Sequence, residues 1–254
     1  LPEHEDKYRN YLTQNIEMAY DAKSGKSLET RSEIIQGAQQ SNTEQVMENV
    51  DNVDAYNEAK EGAAKFVQFL SNESSAVAHI LNVENLDKNI AHHGVTVSTL
   101  ATALAKRLGM VDPKQTQLLT LGALLHDFEH FHAGLDIARP LDKMTPDELR
   151  VYKEHPVAGG RRVQTKQHFD QSVISIIVQH EEYIDGRGWP QGLKESQMDP
   201  LAVIVGSANA VDRLITFEGV PRKDVAKQLM MTAVGRHPLQ HLQALGEILN
   251  QATT

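Results

Sequence analysis

The stretch Leu118 to His132, LLTLGALLHDFEHFH, carries leucines at helical spacing and ends on adjacent His126 and Asp127, with Glu129, His130 and His132 close behind. Adjacent side chains on an α-helix diverge by about 100°, so this pair reaches two neighbouring points better than one. An imidazole nitrogen binds one borderline transition metal, while a carboxylate can bridge two ions held roughly 3.5–4 Å apart. The alternative for so short a His-Asp word is a buried histidine hydrogen-bonded to its neighbours.

Polar residues of metal-binding type recur on the apolar stripes of other predicted helices. His93 lies one turn before Val97, whose stripe runs on through Leu100, Leu104 and Leu108, so its imidazole belongs to the buried face while His92 points elsewhere. Val173, Ile176, Ile177 and His180 follow i, i+3, i+4, i+7 spacing, and Glu181 sits beside the histidine. Asn209 and Asp212 each stand one turn beyond an apolar residue of the series Leu201, Ile204, Val205, Ala208. His155 precedes Pro156, which predicts a helix end or turn, with flexibility from Gly159-Gly160 and cations at Arg161 and Arg162. A single histidine on an apolar face is ordinary core. Burying His93, His126, His155 and His180 together with Asp127 and Glu181 is different, because desolvation would cost several kcal/mol unless a shared positive charge offsets it. A metal cluster supplies that charge.

The elements that must position these residues read as helices throughout. Tyr8, Leu12, Ile16 and Ala19 mark a first amphipathic helix, closed by the turn-like Asp21 to Ser27. Ile34, Ile35 and Ala38 begin a second stretch, with a polar break expected at Ser41 to Thr43 before Val46, Val50 and Val53 continue the period. Ala63, Phe66, Val67 and Leu70 form a clean stripe that ends at Ser71 to Ser74. The loop after His132 contains Pro140, and Thr145-Pro146-Asp147-Glu148 reads as a helix start. Asp185 to Pro190 is a turn-rich loop holding Arg187 and Trp189, and a final helix runs through Leu239, Leu242 and Leu245. The predicted fold is all-α: a helical N-terminal region over residues 1–80, regulatory or partner-binding, and a bundle over 81–254 enclosing the site.

Composition narrows the chemistry. At 254 residues and 40% hydrophobic content the chain can bury a core without staples. It has no cysteine, which excludes disulfides, thiolate zinc sites and cysteine nucleophiles and fits a reducing, cytoplasmic setting. Any metal must therefore use nitrogen and oxygen ligands. The net charge of −9 argues against binding a nucleic-acid polymer but leaves room for a small anion at a locally positive site. No apolar run approaches the roughly 20 residues of a membrane span, and the opening LPEHEDKYRN is charged rather than signal-like, so a soluble chain is expected.

From about Asn89 to Lys223 the sequence resembles the HD-GYP family of HD-superfamily phosphohydrolases. His93 stands where that family's first helix presents a histidine, His126-Asp127 matches its HD pair, and His155-Pro156 with Gly159 resembles its downstream histidine segment. Gln179 to Leu193, QHEEYIDGRGWPQGL, is similar to its HHE and DGxGYP stretch, and Leu201 to Leu214 to the helix that carries its alternating aspartates. The resemblance implies a helical bundle of the HD-domain type. It also implies hydrolysis of a cyclic dinucleotide, typically cyclic di-GMP, at a centre of two iron ions, with manganese as the other candidate. The implied metal ligands are His93, His126, Asp127, His155, His180, Glu181 and Asn209.

Departures from the pattern mark a divergent member. His130 occupies the lysine position of the HDxGK word and Glu129 the glycine before it, so His130 takes the lysine's place as the group that would protonate the leaving oxygen beside Asp127. Glu181 replaces the second histidine of the HH pair, Asn209 an aspartate ligand, and Trp189 the tyrosine of GYP. Arg187, Trp189, Arg222 and Lys223 are the expected substrate-binding residues. The 185–190 loop and the N-terminal helices are the surfaces for a protein partner. An alternative to the enzyme is a receptor that keeps the metal and the nucleotide but hydrolyses poorly.

Overall fold

The computed structural model describes residues 11–12, 14–73, 75–83, 89–135, 141–233 and 235–252. Its helices begin where side chains can take up orphaned backbone donors. Ser27, Asn52, Asn89, Asp112, Thr145 and Asp199 each accept a first-turn N–H from the helix they precede. Pro113, Pro146 and Pro200 occupy first positions, where no N–H is needed. The resulting order is Leu28–Glu48, Val53–Asn72, Ala76–Asn82, Ile90–Arg107, Pro113–Leu125, Pro146–Val163, Gln171–Gln179, Pro200–Thr216, Arg222–Thr232 and Leu239–Ala252, with a single turn at His130–Ala133. No strand forms among the described residues; one antiparallel bridge joins Asp185 to Lys194.

The Ile90–Arg107 helix lies at the centre, packed on Pro113–Leu125 and Pro200–Thr216, and Pro113–Leu125 in turn packs on Val53–Asn72 and Gln171–Gln179. Two glycines permit the closest approaches. A Cβ on Gly94 would fall 2.5 Å from the Leu124 carbonyl oxygen, and one on Gly206 would fall 2.6 Å from that of His180. Both contacts lie next to residues of chemical interest, so helix proximity here sets the site. One apolar core joins the stretches on either side of residue 80, from Leu12 to Ala252. Tyr56 ties them further, its hydroxyl donating to Asp170 Oδ2 at 3.0 Å and accepting from the Asp170 N–H at 3.0 Å.

Several local expectations need correction. Ser41 to Thr43 does not break a helix, because Thr43 returns its hydroxyl to the Gln39 carbonyl at 2.8 Å and the side chain stays buried. The break falls at Asn49 to Asn52, so Val53 opens the next helix rather than continuing the period. Pro156 lies inside Pro146–Val163 and His155 is mid-helix. Gly159 and Gly160 are also helical and serve close packing, since a Cβ on Gly160 would meet Val178 Cγ2 at 2.5 Å. Leu239 begins the final helix but is exposed, whereas Leu242 and Leu245 are buried. Tyr8, Ser74 and Pro140 lie outside the described residues.

Gly94→Ala is expected to destabilise the fold by about 1–3 kcal/mol, because the new methyl meets backbone rather than a movable side chain. Denaturant unfolding measures it, and an unchanged midpoint would contradict the packing described.

Candidate metal centre

The site is built by helices whose own carbonyls orient its histidines. His126 Nδ1 donates to the Ala123 carbonyl at 2.7 Å and His180 Nδ1 to that of Ile177 at 2.9 Å, each one turn back along the chain. His155 Nδ1 donates to the Tyr152 carbonyl. That carbonyl is free because Pro156, four residues on, has no N–H to offer it. A carbonyl can only accept, so in all three rings the proton sits on Nδ1 and a neutral ring presents a bare Nε2. His93 is held differently, its Nδ1 lying 2.6 Å from Asp212 Oδ2.

These nitrogens converge on Asp127, and its two oxygens face different partners. Oδ2 lies 3.5 Å from His93 Nε2 and 3.6 Å from His126 Nε2. Oδ1 lies 3.1 Å from both His155 Nε2 and His180 Nε2, which are 2.9 Å from each other. At 3.1 Å the approaches are close but out of hydrogen-bonding line, and Oδ1 has no aligned donor. Asn209 Oδ1 stands 3.1 Å from His93 Nε2. Glu181 adjoins His155 and His180 and accepts the Tyr152 hydroxyl at 2.6 Å. His130 stacks on Tyr152 with centroids 5.3 Å apart and 24° between planes, its Nε2 4.0 Å from Asp127 Oδ1. All of these residues are buried.

The electrostatics follow from that crowding. Burial works against a charged Asp127, but the surrounding imidazoles outweigh it and hold the carboxyl well below its usual range. Burial pushes His126 down to about 3. His130 is driven well below its ordinary value by burial and then by His155. For His93 burial acts downward, yet Asp127 and Asp212 prevail and lift it to about 9. Asp127 likewise raises His180 against its burial.

The residues fit divalent metal ions. His126 Nε2 and Asp127 Oδ1 are buried without a hydrogen-bond partner. Two bare imidazole nitrogens 2.9 Å apart repel unless a cation lies between them. Donor atoms about 2.1 Å from one ion at right angles lie about 3.0 Å apart, and at a tetrahedral angle about 3.4 Å. The separations around Asp127 fall near both values. One set would be His93, His126 and Asp127 Oδ2 with Asn209; the other would be His155, His180 and Asp127 Oδ1 with Glu181.

The structure brings together all seven residues expected as ligands, and His130 with them. The expected substrate contacts fare differently. Arg187 is exposed and forks onto Asp185 at 2.6 and 2.8 Å. Arg222 is bonded to the Leu81 carbonyl and to Asn82 Oδ1, where it holds the end of Ala76–Asn82. Lys223 is exposed. Trp189 packs between Tyr183 and Tyr152 at 5.6 and 6.3 Å, with Lys153 Nζ 5.6 Å from its ring. His92 is buried away from the cluster, its Nε2 3.3 Å from Gln36 Nε2. Sequence reasoning missed Asp212 and Tyr152 as positioning residues. Asp212 had a signal, a carboxylate on an apolar stripe, and Tyr152 had its place one turn before His155.

A helical bundle wrapped around buried imidazoles that share one carboxylate is the architecture of an HD-type metal centre. The HD-domain family model matches residues 64–234, which contain every residue of the cluster. A solved HDG"Y"P protein from Bdellovibrio bacteriovorus is 57% identical, with a TM-score of 0.93 over 98% of this chain and 81% of its own. The chain therefore belongs to the HD-domain family, in its HD-GYP branch. Among curated relatives, a cyclic di-GMP phosphodiesterase of Pseudomonas aeruginosa is 30% identical over 128 residues, 50% of this chain and 31% of its own length. One from Thermotoga maritima is 29% identical over 143 residues, 55% of this chain and 39% of its own. The chain thus spans about a third of the length of the curated relatives it matches. No helix among the described residues is long and apolar enough to cross a membrane.

His126→Ala or Asp127→Ala is expected to strip bound metal, read by elemental analysis, while His92→Ala leaves the metal content intact. A full metal complement in His126→Ala would overturn the assignment. The raised His93 pKa adds a pH dependence: below about 9 a proton competes for its nitrogen. Apparent metal affinity should then climb by about tenfold per pH unit from neutrality towards 9 and level off above it. Chelator competition at several pH values measures this slope.

Proposed function

We propose that this chain is a metal-dependent phosphodiesterase acting on a cyclic dinucleotide, cyclic di-GMP first among them, with iron as the metal and manganese as its substitute. The observation that carries the proposal is the division of Asp127, whose two oxygens face two separate nitrogen sets. Divalent ions held by those sets would acidify a water and neutralise charge developing on phosphoryl oxygens. The names of the curated relatives agree with this substrate class.

The protein's own contribution is positioning. Asp212 fixes the His93 ring, and the carbonyls of Ala123, Tyr152 and Ile177 fix the other three, so the donors need not reorganise when substrate arrives. Tyr152 holds Glu181 against rotation. His130 has both ring nitrogens unpaired, and its lowered pKa keeps the ring neutral at physiological pH. In that form it meets the leaving 3′ oxygen as an N–H hydrogen-bond donor, and as a general acid only once substrate charge raises its pKa.

A second reading, a receptor that binds without turnover, draws support from Asn209. Its neutral amide faces His93 and cannot compensate metal charge as a carboxylate would.

Purified protein loaded with iron or manganese and incubated with cyclic di-GMP is expected to release linear dinucleotide or mononucleotide, resolved by chromatography. Metal-replete protein that binds the dinucleotide yet forms no product would leave the receptor. Turnover of other phosphate esters alone would redirect the substrate assignment.

A further inference from the structure

We propose that Arg213, a residue with no counterpart among the expected substrate contacts, is the cation that grips the phosphate of the ligand beside the metal centre. The inference rests on the phosphodiester reading above and names the residue that recognises the anion.

Position comes first. Arg213 lies on Pro200–Thr216 four residues beyond Asn209, hence on the same face and about 6 Å further along the axis. Asn209 is at the site, 3.1 Å from His93 Nε2. The guanidinium carbon sits 5.0 Å from the Tyr152 ring centroid and 5.3 Å from that of Phe217. Tyr152 is the ring on which His130 stacks and whose hydroxyl holds Glu181. Arg213 is therefore one aromatic ring away from the donors around Asp127.

Partnership comes second. Arg213 Nη1 is buried and has no hydrogen-bond partner, and the side chain forms no ion pair with any described residue. A guanidinium carries five N–H donors in a fixed fork, and leaving one unmet out of solvent costs free energy. The two aromatic contacts fix the plane of the fork without satisfying its donors. Arg187 and Arg222, the arginines expected to bind phosphate, have their donors committed to Asp185 and to Leu81 and Asn82. An oriented, partly buried and unsatisfied fork beside a metal-binding centre matches the planar, two-oxygen face of a phosphodiester or phosphomonoester.

The test compares wild type, Arg213→Met and Arg213→Lys, each loaded with metal, by calorimetric titration with inorganic phosphate and with guanosine monophosphate. Metal content and thermal midpoint are measured on the same samples. Arg213→Met is expected to bind both probes at least tenfold more weakly at unchanged metal content. Arg213→Lys should lose several-fold, since it keeps the charge but not the fork. Phosphate affinity equal to wild type in Arg213→Met overturns the proposal. Where Arg213→Met loses metal or folds poorly, Arg213→Lys decides, and its binding phosphate as wild type does overturns it. Arg213-dependent phosphate binding by a protein that turns over no cyclic dinucleotide would retain this inference and remove the enzymatic one. Turnover with an unaltered KM and phosphate affinity in Arg213→Met would do the reverse.

Discussion

The structure depends on a tautomer. His126, His155 and His180 each give Nδ1–H to a carbonyl of their own helix, and the consequence is that three bare Nε2 atoms meet one buried carboxylate. Reversing any ring would turn an acceptor into a donor at Asp127 and leave the helix carbonyl with a nitrogen that cannot serve it. The arrangement is costly alone, because bare nitrogens at contact distance repel and desolvated charge is expensive. It becomes favourable when cations occupy the same volume. Folding and metal affinity are coupled through this shared constraint, since the helices must be complete before their carbonyls can orient the rings.

Helix packing makes that convergence possible. His93, the His126-Asp127 pair, His155, His180 and Asn209 come from five separate segments, so their meeting is a tertiary fact. Gly94 and Gly206 let the central helix approach Leu124 and let Pro200–Thr216 approach His180 at distances a methyl would forbid. The Glu129–Arg162 pair, forked at 2.7 Å on both oxygens, clamps the turn after Asp127 to Pro146–Val163 and thereby to His155. Glu129 stands where the resembled word has glycine, so this divergent residue acts in holding two donor segments together.

Much of this was legible because helical periodicity reports burial. His93 and His180 stood on stripes whose leucines, valines and isoleucines are buried, apart from Leu108, which lies just past the end of its helix and is exposed, and both histidines are buried with them. That Asp127 could serve two donor sets was foreseeable from its two carboxylate oxygens. The divergence expected of His126 and Asp127 did not hold, because the helix ends at Leu125 and His126 Nε2 faces Asp127 Oδ2 in one set. Periodicity failed where its rules concern the backbone. Pro156 was read as a terminator, yet a helix accepts proline when a side chain takes over the released carbonyl, and His155 does so. It also failed for the cations. Arg187 and Arg222 are near the site in sequence, and nothing in a sequence shows that their donors are already committed. Arg213 gave no signal, since an unsatisfied fork is a property of its surroundings alone.

Two of the departures from the family pattern, at 130 and 209, offset each other in charge. Histidine at 130 removes a fixed cation from the turn after Asp127, because burial keeps that ring neutral. Asparagine at 209 removes an anion beside His93 Nε2. The two changes cancel in net charge but shift the positive potential away from the His126-Asp127 turn and towards Pro200–Thr216. Arg213 lies on that helix, one turn past Asn209, and shares the Tyr152 ring with His130 at 5.0 Å against 5.3 Å. A phosphate drawn to the centre would meet its fixed cation from this helix. Tyr152 couples the two halves of that exchange, because the ring that orients Arg213 also stacks on His130 and holds Glu181.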